Sequence, residues 1–367
     1  MTRARDVPLR VGLIGYGLAG AVFHAPLIAA TRGLRLTAIV TRDPVRAAGA
    51  RKQHPSVRVV DSADRLWEQA AGLDVVVIAA PNRAHLPLAL AALAAGLPVV
   101  VDKPLAPSAD EARQLIGEAQ GRRLLLTVFH NRRWDGDFLT LQRLLAEGEL
   151  GDVLRFESRF ERWRPTPKPG WRERGDPHEA GGLLYDLGSH LIDQALVLFG
   201  PVTQVYAELD RRRADVAVED DAFVALTHAS GPRSHLWMSA VAAQLGPRMR
   251  VLGSHAAWTK FGLDVQEAAL RAGVTVGDAR WGEEEAQLWG AIGTVDDVRP
   301  VRTEPGDYRR FYAGLLSALR DGVPPPVDPA DAVAGLEIIE AARRSAAEGR
   351  TIALSPRGAH APATSQA

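Results

Sequence analysis

LRVGLIGYGLAG, residues 9–20, decides the fold. An apolar run with no period-two alternation leads straight into Gly15, Gly17 and Gly20. A strand that delivers three glycines to the start of a helix is the context that turns a bare glycine pattern into a dinucleotide-binding turn. One glycine allows the tight turn, one lets backbone approach a pyrophosphate, and one lets the helix pack closely on the strand. Tyr16, Leu18 and Ala19 fill the loop between them and join the expected nucleotide contacts.

Five further apolar runs follow: 35–41, 57–60, 74–80, 98–102 and 124–129. Each is short and nearly continuous in Val, Ile and Leu, as strands covered on both faces are. With helices between them they predict a doubly wound parallel sheet over residues 1–130. Ser108 and Glu111 form a capping box, and Gly121 is the expected stop of that helix. Pro26 removes an interior donor, which predicts a break near residues 24–26.

Beyond Phe129 the pattern changes to runs of mixed polarity: 152–163, 204–210, 221–229, 234–244 and 248–262. These predict an α+β domain over residues 131–354 with a large, mostly antiparallel open sheet. Two closing helices are expected, at 307–321 and from Asp328 and Pro329 to Gly349, the last packing back on the first domain. Residues 355–367 are small and polar, the composition of a disordered tail.

Composition narrows the function. The 44 basic and 44 acidic side chains balance, and no basic stripe with interleaved aromatics occurs, which argues against nucleic acid or an anionic membrane as partner. There is no cysteine, so thiolate metal sites and disulfides are impossible and redox chemistry must use a cofactor. No apolar h-region opens the chain and no run reaches bilayer length, so the expected compartment is the cytoplasm. The apolar runs at 235–243 and 205–209 suit a sheet face covered by a second copy, predicting a homodimer or homotetramer.

Where the second strand ends, an NAD enzyme carries an acid for the ribose 2′-hydroxyl. Thr41 and Arg42 stand there instead, suited to a 2′-phosphate, so NADP is the expected cofactor. Asp43 follows one position later and keeps NAD as the alternative. The loop after the fourth strand, with Ala80, Asn82 and His85, lies at the nicotinamide edge of such a crevice, and Asn82 is also placed to cap the next helix.

Only four of the 44 lysine and arginine residues are lysines, and Lys103 directly follows an apolar strand in VVVDKP. Ligands bind beyond the carboxyl ends of such strands, making Lys103 the first catalytic candidate. In GGLLYDLGSHLIDQ, Asp186, His190 and Asp193 fall at i, i+4 and i+7, on one face of a helix. A satisfied buried network, a metal site and acid/base catalysis all use such a stripe; an adjacent dinucleotide site favours the third. No metal-ligand pattern is completed, so no metal is expected. Substrate candidates are His130, Arg132 and Trp134 after the sixth strand, where Asn131 would meet the cofactor, and Trp163 and Arg164 from the Pro-rich loop that also holds Arg162, Trp171 and Arg172.

GYGLAG, AAPNRAH, DKP, HNRRWDGDF and GGLLYDLGSHLID together resemble the Gfo/Idh/MocA oxidoreductases, two-domain sugar and cyclitol dehydrogenases. GYGLAGAVFHAPLI, RWRPTPKPGWRE and KFGLDVQEAALRAG are similar to its NADP-dependent scyllo-inositol 2-dehydrogenase branch. The resemblance implies Lys103, Asp186 and His190 as the catalytic set, with Asp102 standing where the family carries glutamate beside its lysine. It implies hydride exchange between nicotinamide and a polyol or keto-sugar. Reduction of another keto-sugar, oxidation of an aldose, and a non-catalytic nucleotide sensor remain the alternatives.

Overall fold

The computed structural model describes residues 7–167, 173, 175 and 179–354. Its first sheet has six parallel strands: β1 (Leu9–Ile14), β2 (Leu34–Val40), β3 (Arg58–Val60), β4 (Val75–Ile78), β5 (Val99–Asp102) and β6 (Leu126–Phe129). They lie in the order β3-β2-β1-β4-β5-β6, the doubly wound order with its switch point between β1 and β4. All four residues of β4 are fully buried, as a strand covered on both faces must be. The crossover helices are α1 (Ala25–Ala30), α2 (Pro44–Gln53), α3 (Ala63–Trp67), α4 (His85–Ala94) and α5 (Ala109–Arg122).

Two local expectations change. The first crossover is not broken at Pro26: Ala19–His24 is a wide π-helical turn that passes into α1, whose first turn accommodates the proline. Ser108 Oγ accepts from Glu111 N at 3.2 Å as the N-cap of α5, but the helix runs through Gly121 and ends at Arg123, φ +57°.

The second sheet is mixed, with β7 (Val153–Glu161), β8 (Val202–Asp210), β9 (Asp221–His228), β10 (Arg233–Ser239), β11 (Met249–Gly253), β12 (Ala257–Lys260), β13 (Gly290–Gly293), β14 (Val298–Val301) and β15 (Ile352–Ala353). Their order is β14-β13-β12-β11-β7-β10-β9-β8-β15. Every pairing is antiparallel except β10 with β7. The run at 248–262, read as one strand, is the hairpin β11–β12, and the short strands β13, β14 and β15, the last two at the sheet's edges, carry no periodic signal.

Five helices complete the fold: α6 (Gly136–Ala146), α7 (Ser189–Phe199), α8 (Gln266–Arg271), α9 (Arg309–Asp321) and α10 (Pro329–Glu348). The inner face of the second sheet packs against α7 and α10, while α9 returns to α1 and α10 also reaches α5 and β6. Thr127 Oγ1 in β6 donates to Val327 O at 2.7 Å, and Glu340 in α10 accepts from Ala109 N at 2.8 Å. Asp328 caps α10 by accepting from Ala330 N, as its sequence predicts. No described helix is long and apolar enough to cross a membrane. Trp171, Arg172 and residues 355–367 lie outside the described residues.

Candidate active site

The glycine turn has the three-part construction expected of it. Gly15 sits at φ +96°, and a Cβ there would collide with the backbone of Ala79 in the loop after β4. A Cβ on Gly20 would strike Gly15 O, so the wide turn packs directly on the strand end. At Gly17 the nearest atom is Arg46 Nη1 at 3.6 Å, leaving that backbone open to a ligand. Tyr16 turns the other way: it is buried, and its hydroxyl donates to Gln53 Oε1 at 2.7 Å.

From this turn a cleft of about 720 Å³ runs between the two sheets. Leu18 and Ala19 line one end, and Asp102, Lys103, Asp186 and His190 line its middle. Lys103 Nζ reaches across to donate to Asp186 O at 2.5 Å and Asp186 Oδ1 at 3.1 Å. Asp186 belongs to a second π-helical turn, Leu184–Gly188, which leads into α7 and carries His190 in its first turn. The i, i+4 arithmetic therefore spans a change of pitch, and Asp193 leaves the cleft. Its carboxylate is held by Arg133 through bonds of 2.9 and 2.6 Å, and Arg133 also bonds Asp331 at 2.9 Å.

His190 is buried, and its Nδ1 has no hydrogen-bond partner. Burial first, then the positive charges of Lys103 and Arg132 and the neighbouring His130 and Arg248, hold its pKa well below the ordinary histidine value. At neutral pH it is an uncharged imidazole. Asp102 lies behind the lysine, its Oδ1 accepting from Lys103 N at 2.8 Å. Burial raises its pKa, but His24, Lys103 and His85 outweigh that and leave the carboxyl below its usual range.

The loop residues after β4 tie the site together rather than face it. Asn82 does not cap α4: its amide donates at 3.2 Å to the carbonyls of Glu179 and Ala180. His85 is buried with one ring nitrogen 2.8 Å from Pro104 O and the other 2.9 Å from Ala80 O, so it joins the β4 and β5 loops. Burial lowers its pKa.

Of the residues expected after β6, Asn131 and Arg132 line the cleft. Arg132 donates to Glu267 at 2.6 Å and to Asp135 at 3.3 Å, and its guanidinium lies 4.7 Å over Phe160. His130 sits behind, its ring 6.5 Å from that of His190. Trp134 packs on Phe311 at 5.9 Å and is not part of the lining.

Strand alternation sorts the loop that follows β7. Phe156, Ser158 and Phe160 face inward, and Arg162 and Arg164 continue that series into the cleft. Trp163, of opposite parity, is 57% exposed and is not among the lining residues. Arg162 stacks 4.8 Å over Phe160, and among the described residues no acid lies within ion-pair distance of it. Arg162 was named with this loop but passed over for Trp163, and Glu267, which also lines the cleft, was missed; its signal was an acid three residues after Asp264 in KFGLDVQEAAL.

At the far end of the nucleotide turn, Thr41 is half-buried and Arg42 is exposed at the end of β2. Asp43 is committed to capping α2, accepting from Val45 N at 2.9 Å and Arg46 N at 3.1 Å. Arg46, overlooked in the sequence, stands four residues after Arg42 and beside Gly17. Among the described residues no group of three or more His, Asp or Glu side chains is placed to hold a metal.

A glycine cradle at the switch point, opening on a cleft with lysine, aspartate and a neutral histidine, defines a nucleotide-dependent oxidoreductase. Residues 9–130 match the family model described as the NAD-binding Rossmann fold of an oxidoreductase family, and residues 142–354 match its C-terminal alpha/beta domain, so the chain belongs to the Gfo/Idh/MocA oxidoreductases. It is 40% identical to the uncharacterized oxidoreductase YdgJ of Escherichia coli over 94% of this chain and 99% of that one. It is 34% identical to IolW of Bacillus subtilis, a scyllo-inositol 2-dehydrogenase (NADP(+)), over 94% of this chain and 96% of that one. The solved structure of yvaA from Bacillus subtilis superimposes with a TM-score of 0.90 at 33% identity, covering 96% of this chain and all of the other.

Proposed function

We propose that the chain is an NADP(H)-dependent oxidoreductase that interconverts one hydroxyl of a cyclic polyol or sugar with its ketone, scyllo-inositol and scyllo-inosose being the leading pair. The observation that carries the reading is Lys103 bonded to Asp186 across the cleft, with the neutral His190 one turn further on. The similarity to IolW supports the substrate pair. Arg42 and Arg46 support the phosphate-bearing nucleotide, since Asp43 is already used as a helix cap.

The residues fit the nucleotide: Gly17 leaves backbone open, and Gly15 and Gly20 sit where no side chain fits. Bound there, the cofactor would supply hydride chemistry at its nicotinamide ring. Lys103 would donate a hydrogen bond to the reacting oxygen and stabilise the alkoxide that develops on it. His190, uncharged, would take the hydroxyl proton; with Nδ1 buried, Nε2 is the nitrogen assigned to that exchange. Asp186 fixes the ammonium between its carbonyl and carboxylate and so aims it. In reduction the same proton returns from His190 to the oxygen.

The open face of the second sheet bears Phe223, His235 and Trp237 in mutual contact, with Arg159 4.0 Å over Trp237. We assign this face to a second copy of the chain. Sedimentation as a monomer at micromolar concentration would remove that assignment.

The functional reading is tested by following absorbance at 340 nm with NADP and NAD in parallel, against scyllo-inositol, myo-inositol, glucose and xylose. Preferential NADP reduction with scyllo-inositol is expected. Turnover with glucose or xylose alone would move the substrate, and silence with every polyol and both nucleotides would overturn the reading.

A further inference from the structure

His24 closes the wide turn Ala19–His24 and is fully buried, yet no step above uses it. Its Nδ1 lies 2.6 Å from Tyr312 Oη on α9, and its ring packs at a tilt against Phe129 at the end of β6, the centroids 4.3 Å apart. Its Nε2 is buried without a hydrogen-bond partner and faces Asp102 Oδ2 at 3.9 Å. The other oxygen of Asp102 accepts from the Lys103 amide. One carboxylate thus stands between a buried imidazole and the backbone of the catalytic lysine.

The hydrogen-bond roles agree along this line. Burial and the nearby Asp102 push the Tyr312 phenol well above its ordinary pKa, so it keeps its proton and can donate to Nδ1. With Nδ1 as the acceptor from Tyr312, the donor nitrogen of the His24 ring is Nε2, the one facing the carboxylate. An aspartate can join the two because its short side chain reaches the following amide from the cleft wall.

We propose that His24 is a positioning residue that acts through Asp102, holding the DKP segment so that the Lys103 ammonium meets Asp186 and the reacting oxygen. The inference rests on the role given to Lys103 above. Three groups face Asp102 directly: His24 from the wide turn, Lys103 beside it and His85 from α4, while Tyr312 from α9 stands behind His24.

The test compares wild type with His24→Leu, His24→Gln and Tyr312→Phe. Three readouts are taken on each: melting temperature, kcat and KM across pH, and NADPH affinity across pH from quenching of tryptophan fluorescence. In His24→Leu, kcat is expected to fall on the order of 10²-fold, the scale of a misplaced catalytic group. KM for the polyol should stay near wild type, and the acid limbs of kcat and of NADPH affinity should move to higher pH, because Asp102 loses a partner that favours its ionised form. Glutamine, which offers both a donor and an acceptor, is expected to recover most of the loss, and Tyr312→Phe to show a smaller loss of the same kind.

A folded His24→Leu with wild-type kcat and unmoved acid limbs overturns the proposal. Should leucine fail to fold, wild-type pH profiles in both His24→Gln and Tyr312→Phe overturn it equally. Should wild type turn over no polyol, the shift in NADPH affinity still decides the role of His24, because that measurement needs no substrate.

Discussion

Two wide helical turns meet at the cleft, Ala19–His24 from the nucleotide half and Leu184–Gly188 from the substrate half. Each delivers a buried histidine, at the end of the first turn and just beyond the second. Each has one ring nitrogen without a hydrogen-bond partner, but that of His24 faces a carboxylate while its other nitrogen meets a phenol, whereas His190 has cationic neighbours. Burial alone therefore does not mark the reactive imidazole. A histidine bracketed by partners is held in one tautomer, and one kept neutral by burial and by surrounding positive charge is in the unprotonated form a base requires.

His190→Ala should break the comparison hardest. Loss of a general base costs about 10²- to 10⁴-fold, so kcat should fall by that much while NADPH affinity holds. The wild-type pH profile sharpens the point. Polyol oxidation needs His190 neutral, and its pKa is depressed, so it is neutral at pH 7 and stays so until pH drops well below 6.5. The acid limb of oxidation due to His190 should thus lie below the ordinary histidine range. A limb at or above 6.5 that disappears in His190→Ala would show that burial and the cationic surroundings do not act as described.

The two halves also differed in how much their sequence disclosed. All six strands of the first sheet were legible because each is a short run dominated by Val, Ile and Leu without period-two alternation, separated from the next by a helical stretch. The second sheet was legible only where strands exceed about six residues; β13 begins and ends in glycine and β15 has two residues, too short for any period. The turn at Ser254–His255 hid the hairpin inside one polar-apolar run. Lys103, Asp186 and His190 were legible by type and position. The π turns were not, because side-chain spacing assumes 3.6 residues per turn, and with that assumption Asp193 was put on the same face as Asp186 and His190 although it faces Arg133.

In the nucleotide half the next largest effect concerns Arg42 and Arg46. A charge-assisted bond to a 2′-phosphate contributes about 2 kcal/mol, or about 30-fold in affinity. Arg42→Ala should lower the preference of kcat/KM for NADP over NAD by about that factor, and adding Arg46→Ala should lower it further. Unchanged preference in the double variant would mean that the end of β2 does not read the phosphate.

The smallest effects belong to the strand that carries the substrate half's cationic wall. Alternation along β7 sends Arg162 into the cleft and Trp163 out of it. Arg162 makes no side-chain hydrogen bond or close ion pair with a described residue, feels Asp186 and Glu267 only at longer range, and lies over Phe160, so its donors are available to ring hydroxyls. Losing one such bond costs about 1 kcal/mol, so Arg162→Met should raise KM for the polyol about 5-fold with kcat nearly kept. Trp163→Ala, at an exposed position, should change kcat/KM by less than about 2-fold, as surface substitutions stay within about 0.5 kcal/mol. The reverse order, with Trp163 the costly one, would mean that the loop turns over when substrate binds, placing the aromatic face against the ring and the guanidinium outside.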